Sequence, residues 1–339
     1  MEIKYPILGI DVSKAKLDLC ILDAGVDLDQ LTVPNTPKGF AALHKHLAAH
    51  RIAIHTACLE ATSVYSAAIA LDLHEHGITV VVANPAAVHA FMHAELRRAK
   101  TDKADAVSIA KFARAMADDL HPWQPLPACY EELRELTRRL YAIRCSMART
   151  KNQMEHQEYF RSAARPVIVH SLEADLAHYR KQANKIRKEL KRCLQANEEL
   201  QRRYDLLTTA KGVAEVTALT FMAEVPDIHQ FSEAKELAAF AGITPHIKHS
   251  GTKEPVSAPI SKMGSARLRQ AMYMASLSAK RYNPPLARFA RRLHSRGKKP
   301  MVVNIAVARK LLHQLYAIDC HQIPFDPNYS KNYTEPGTT

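Results

Sequence analysis

Short apolar runs alternate with amphipathic stretches over the first 120 residues, and that alternation predicts an α/β domain. Two further observations predict the rest of the chain. From 131 to 205 apolar residues recur at spacings of three and four, the mark of long helices. From 206 to 318 the pattern stays mainly helical. The expected organisation is an α/β domain over 1–125, a helical hairpin or coiled coil over 126–205, a mainly α domain over 206–325 and a mobile tail over 326–339.

Each element has a local reason. Strands are predicted at 5–11, 16–23, 28–33, 53–59 and 78–82, where apolar and β-branched residues cluster. Asp23 to Asp27, with Gly25, reads as a hairpin turn between the second and third. Helices are predicted at 37–50, 63–76, 84–94 and 102–117. Asn35-Thr36-Pro37 offers a cap with proline at the first helical position, and Asn84-Pro85 does the same after the fifth strand. A three-strand meander followed by strand and helix alternation is the order of elements in the ribonuclease H fold. In that order the first and fourth strands are parallel neighbours, about 4.8 Å apart.

The helical middle carries two apolar seams. One runs through Leu133, Leu136, Leu140, Ile143 and Met147; the other through Leu172, Leu176, Tyr179, Ala183, Ile186, Leu190, Cys193, Asn197 and Leu200. Arg165-Pro166 lies between them and breaks the helix. The seams fit an antiparallel hairpin within one chain or a coiled coil that also pairs subunits. Asn197, polar within the second seam, either fixes its register or marks where it frays. Beyond it, Leu206 to Ala218 fits either a helix-hairpin-helix with its turn at Gly212, for which a second turn glycine is expected near Ala214, or simple helix–turn–helix packing.

Four acidic residues stand where a metal-dependent nuclease needs them. Asp11 ends the apolar run Ile7-Leu8-Gly9-Ile10, and Glu60 ends a second run from Ile54. If those are the first and fourth strands, both carboxylates sit at the carboxyl ends of parallel neighbours. Asp102 and Asp105, three apart, share one face at the start of a helix. Carboxylates are the hard oxygen ligands that Mg²⁺ or Mn²⁺ prefers. Two such ions, roughly 3.5–4 Å apart, can stabilise both the attacking and the leaving oxygen of a phosphodiester.

Charge is unevenly spread. The net charge of +13 is made of −2 over 1–130, +6 over 131–205, +10 over 206–325 and −1 over the tail. The acids thus lie in a near-neutral domain and the basic surface comes after it, as suits a polyphosphate partner. No apolar run approaches the roughly 20 residues of a membrane span. The first residues lack the regions of a signal peptide, which predicts a cytoplasmic protein. The six cysteines are scattered without a Cys-x-x-Cys pair, so buried free thiols are expected rather than a disulfide scaffold or a cysteine-built zinc site.

Gly9-Ile10-Asp11-Val12-Ser13-Lys14, Glu60-Ala61-Thr62, Lys100-Thr101-Asp102-Lys103-Ala104-Asp105-Ala106 and the block from Phe240 to Arg269 occur in this order. Together they resemble the insertion-sequence transposases with a RuvC-like D-E-D-D domain, a family that includes the Piv-type invertases and the bridge-RNA-guided serine recombinases. The resemblance spans 5 to 318. It implies a RuvC-like N-terminal domain, a central coiled coil and a C-terminal transposase domain with a nucleophilic serine. Carried over by position, the metal ligands are Asp11, Glu60, Asp102 and Asp105, holding Mg²⁺ or Mn²⁺. The serine is Ser250, after Gly242-Ile243-Thr244-Pro245, and a downstream Ser-Lys-x-Gly matches Ser261, Lys262 and Gly264.

The same resemblance implies target and donor DNA, a structured guide RNA, a covalent serine–DNA intermediate and a bacterial, nucleoid-associated protein. Strand exchange on two duplexes implies a homodimer or tetramer. Backbone contacts to nucleic acid are expected from Lys211, Lys262, Arg267, Arg269, Arg291, Arg292, Lys298 and Lys299. The competing reading is a hydrolytic nuclease or junction resolvase in which water attacks. A silent nucleic-acid scaffold would lack metal-dependent cleavage. An ATP-binding protein of the actin or sugar-kinase type would need clustered phosphate-turn glycines, and the 10 glycines here are dispersed.

Overall fold

The computed structural model describes residues 6–23, 26–61, 64–94, 102–159, 164–245 and 259–328, with the backbone alone at 26–28, 64, 102 and 103. The chain divides into two compact units, Met1–Pro125 and Leu126–Thr339.

The first unit is built on a five-stranded sheet of order β3-β2-β1-β4-β5. The strands are β1 (Ile7–Val12), β2 (Lys16–Asp23), β3 (Val26–Pro34), β4 (Thr56–Glu60) and β5 (Thr79–Ala83). The first three form an antiparallel meander. β4 then returns parallel to β1, and β5 parallel to β4. This is the strand order and direction expected of the ribonuclease H fold. Pairing of β2 with β3 continues to Asp23↔Val26, so only 24 and 25 connect them; that connection lies outside the described residues.

Alternation along β1 sends its side chains to two different layers. Leu8 and Ile10 pack with Phe40, Leu43 and Leu47 of α1 (Pro37–Ala49) and with Ile69 and Leu73 of α2 (Ala67–Glu75). Ile7 packs on the opposite face with Val88 of α3 (Pro85–Ala94) and with Ile109, Ala110 and Ala113 of α4 (Asp102–Ala115). The caps fall where the sequence puts them. The Thr36 hydroxyl accepts from the Gly39 amide with Pro37 opening α1, and the Asn84 side chain accepts from the Ala86 amide at 2.9 Å.

The second unit is helical. α5 (Ala128–Gln157) and α6 (Arg165–Gln195) form a hairpin. It is antiparallel, because Glu132 pairs with Arg192 at 3.0 Å while Arg139 reaches Gln182 at 2.9 Å. Leu133, Leu140 and Ile143 face Ala183, Leu190 and Cys193 in one core. Pro166 lies in the first turn of α6, where its missing amide is harmless.

The second predicted seam does not run on to Leu200. α6 stops at Gln195, and Asn197 caps a new helix, α7 (Glu198–Thr208), by accepting from the Leu200 amide at 3.0 Å. The helices α8 (Glu215–Glu224), α9 (Ala234–Phe240), α10 (Ala266–Tyr282), α11 (Pro284–Ser295) and α12 (Pro300–His321) complete the unit. The hairpin and these helices share one core rather than closing separately. Gly212, in the turn between α7 and α8, has φ +101° and its α-carbon faces Ala279 so closely that a Cβ would come within 2.6 Å. Ala214 is extended at the start of α8, a conformation that needs no glycine.

Among the described residues no helix is long and apolar enough to cross a membrane. Cys20, Cys58 and Cys193 are buried free thiols and the other three are half-buried; burial pushes the Cys58 thiol up to about 12.

Candidate active site

Strand register brings the acids of β1 and β4 level. Gly9 lies beside Cys58 and Ile10 beside Leu59, so the next step puts Asp11 beside Glu60, on strands about 4.8 Å apart. Both are half-buried. On the other side of β1, Asp11 stands directly opposite Asp18 of β2. Residues directly opposite in an antiparallel pair share a face. Asp18, Asp11 and Glu60 therefore form a row across three adjacent strands.

That row faces α4. Gly9, two residues before Asp11 and on the same side, is where α4 touches the sheet: a Cβ there would lie 2.3 Å from the Ala106 carbonyl oxygen and 2.6 Å from the Ala110 nitrogen. Ala106 and Val107 pack with Cys20, the partner of Gly9. Later residues of the helix, Ile109, Ala110 and Ala113, pack with Ile7 and Leu22. α4 thus runs antiparallel to β1, and its amino-terminal turn points toward the Asp11 end. Asp105, half-buried, lies on that turn. Asp102 begins the helix, but its side chain lies outside the described residues.

The loops beyond Asp11 and Glu60 are stapled by one side chain. The Asn35 amide donates to the Ser13 carbonyl at 2.9 Å and to the Tyr65 carbonyl at 3.0 Å, joining the turn after β1 to the turn after β4. The sequence suggests Asn35 as part of a helix cap, a job that Thr36 does alone. Asp18 escapes the sequence reasoning as well. Its carboxylate accepts from the Thr32 hydroxyl at 2.6 Å and pairs with Lys16 at 2.9 Å. An acid within the apolar run Leu17 to Leu22 is the signal that could have found it. These partners offset the cost of a nearly buried charge beside another carboxylate.

Half-buried oxygen donors from two parallel strands and one helix suit a hard divalent cation. Asp11, Glu60 and Asp105 are described residues that could supply such oxygens, but the structure does not gather their carboxylates within 4.8 Å of one another.

In the second unit, Ser250 falls within 246–258, outside the described residues, but the stems on either side are held together. Pro245 bridges Ile260, the Ser261 amide donates to the Thr244 carbonyl, and the Lys262 amide donates to the Gly242 carbonyl. Gly242 and Gly264 have φ of +66° and +113° and press against Met263 and Phe240. Arg269 serves this clamp directly, donating to the carbonyls of Ala241 and Lys262 at 3.2 and 3.1 Å. Arg267 stacks on Tyr141 at 5.9 Å and approaches Glu224 at 3.8 Å. Lys211, Lys262, Arg291, Arg292, Lys298 and Lys299 are exposed.

A family model for IS110 transposases of the DEDD type matches residues 8–157, and the transposase model of the IS116/IS110/IS902 family matches residues 204–291. The two fall in order on one chain, the first over the acids and the second over the clamp. This chain belongs to the IS110 family of transposases. The family member is 29% identical over 324 residues to the pilin gene-inverting protein of Moraxella bovis, covering 94% of this chain and 97% of that one. It is 44% identical over 81 residues to the transposase for insertion sequence element IS1111A of Coxiella burnetii, 24% of this chain and 21% of that one. A T. thermophilus RuvC solved with a Holliday junction substrate aligns with 34% of this chain and 98% of its own, at 16% identity and a TM-score of 0.29. The fold rests on the strand order rather than on that likeness.

Proposed function

We propose that this IS110 transposase cuts and rejoins DNA through a covalent serine–DNA intermediate, with Asp11, Glu60, Asp102 and Asp105 serving one catalytic centre. The observation that carries the reading is the level placement of Asp11 and Glu60 under the amino-terminal end of α4. When bound there, Mg²⁺ supplies Lewis-acid stabilisation of the phosphodiester oxygens.

The chain's own groups do the rest. Ser250 Oγ attacks phosphorus; the Oγ–P bond forms as the P–O bond to the departing strand breaks. The serine proton ends on the departing hydroxyl, directly or through water. A hydroxyl from another strand then attacks the same phosphorus, displaces Ser250 and returns its proton. One phosphodiester is exchanged for another, so no nucleotide cofactor is consumed. The exposed Lys211, Lys262, Arg291, Arg292, Lys298 and Lys299 hold nucleic-acid backbone, and a structured guide RNA pairs with target and donor DNA. A homodimer or tetramer brings two duplexes together.

The test is trapping on labelled DNA with Mg²⁺. The wild type is expected to leave a denaturation-resistant protein–DNA adduct. Ser250→Ala is expected to lose it, and Asp11→Asn to lose cleavage by at least about 10²-fold. Cleavage that survives Ser250→Ala with no adduct in the wild type would instead assign the attack to water. Omitting the guide RNA is expected to abolish target selection.

A further inference from the structure

A second cluster of ligand-type side chains lies on the opposite face of the sheet from the acids. His44 projects from α1, and Asp72 and His76 come from α2 and its C-terminal cap. One ligand atom from each lies within 4.8 Å of the others. His44 Nε2 is 2.7 Å from an Asp72 carboxylate oxygen, and His76 Nδ1 is 3.9 Å from the same oxygen. The two imidazoles stack with centroids 3.8 Å apart. His44 and Asp72 are 23% exposed, so their polar groups are partly withdrawn from water.

We propose that His44, Asp72 and His76 form a binding site for one borderline transition-metal ion of the Zn²⁺ class, separate from the acid centre. The donor chemistry decides the class. Two imidazoles and one carboxylate favour Zn²⁺, Ni²⁺ or Cu²⁺ over Mg²⁺, which takes oxygen ligands. The geometry is close to what an ion needs. Bonds of about 2.0–2.1 Å at tetrahedral angles place ligand atoms about 3.3 Å apart. The His44–Asp72 contact opens slightly to reach that spacing, and the ligand atom of His76, within 4.8 Å of the other two, moves closer.

One feature of the pocket already resembles a prepared ligand. His76 Nδ1 meets the Asp72 backbone carbonyl at 2.7 Å. Donation to that carbonyl puts the proton on Nδ1 and leaves the lone pair of the neutral ring on Nε2, the outer-sphere arrangement that fixes metal-binding imidazoles. Asp72 and His76 are four residues apart and so share one helix face, while His44 comes from the neighbouring helix. An ion held by all three joins α1 to α2, the helices that pack on Leu8 and Ile10 of β1, with water completing its shell. Its role is to stiffen the layer that backs the Asp11 strand.

The test uses the full chain without a histidine tag, in excess Mg²⁺ to fill the hard oxygen sites. Zinc is titrated against a chromophoric chelator. The wild type is expected to take up one tight equivalent and to melt at a higher temperature with zinc than without. The double variant His44→Ala/His76→Ala is expected to bind at least about tenfold more weakly. His46→Ala is expected to keep the tight step, because His46 pairs with Asp29 instead. Should the double variant not fold, Asp72→Asn and zinc X-ray absorption on the wild type replace it, with a nitrogen and oxygen shell expected. No tight equivalent in the wild type, an unchanged double variant, or sulfur in the zinc shell would each overturn the assignment.

Discussion

One missing methyl group decides where α4 can lie. The atoms nearest a Cβ at Gly9 include backbone atoms of Ala106 and Ala110, which cannot rotate aside as a side chain would. Gly9→Ala is therefore expected to push the helix off the sheet at a cost of about 1–3 kcal/mol. Because Asp105 rides on that helix, DNA cleavage is expected to fall by about 10²-fold, as misplacement by about an ångström does; chemical denaturation and a cleavage assay read the two effects separately. His313 illustrates a different residue-level effect. Burial first, and then Arg309 and Lys310 beside it, hold its imidazole below the ordinary range, and its Nε2 has no hydrogen-bond partner among the described residues. Its folded pKa lies below its unfolded value of about 6.5, so the unfolded chain takes up the proton first as pH falls. Stability is then lost progressively below about pH 6.5. Denaturation midpoints at pH 7.5 and 5.5 are expected to differ less in His313→Gln than in the wild type. At this scale the sequence declared Asp11 and Glu60, because each closes an apolar run. It concealed Asn35 and Asp18, because their meaning depends on turns and a strand partner brought in from elsewhere.

Helices and strands were legible where their signals are local. Thr36-Pro37, Asn84-Pro85 and Arg165-Pro166 mark helix starts because a cap and a proline act within one turn. Cys193, Asn197 and Leu200 misled because their spacing of four and three continues across a break: Asn197 keeps the seam's period while its side chain starts a new helix. Nothing local could reveal how these helices are tied together. Arg203 of α7 and Asp319 of α12, 116 residues apart in the chain, form a buried bidentate pair at 2.8 and 2.6 Å. Arg203 also donates to the Tyr130 hydroxyl on α5 and to the carbonyls of Val225 and Pro226. Burial works against its charge, but the hydrogen bond to Asp319 prevails and holds the guanidinium above its ordinary value. Asp319→Ala strands that charge and is expected to cost about 3–5 kcal/mol, whereas Arg203→Met with Asp319→Leu is expected to cost much less. Urea unfolding of the single and double variants gives the comparison.

Across the whole molecule, charge and packing divide the work in the same place. The acids sit in the near-neutral first 130 residues and the excess of lysine and arginine lies beyond them, while the cores separate into those of the sheet and the single core from Tyr130 to Ile318. The early acids and later basic surface were legible because composition needs no partner to be read; the shared core of hairpin and C-terminal helices was not, because a seam reports that a face is buried but not against what. Units that each bury their own apolar residues unfold as their own cooperative blocks. Differential scanning calorimetry is accordingly expected to resolve two transitions rather than one. Gly9→Ala strains only the sheet unit and Asp319→Ala only the helical one, so each is expected to lower one transition and leave the other in place. A single transition that both variants shift equally would mean that the two units do not unfold independently.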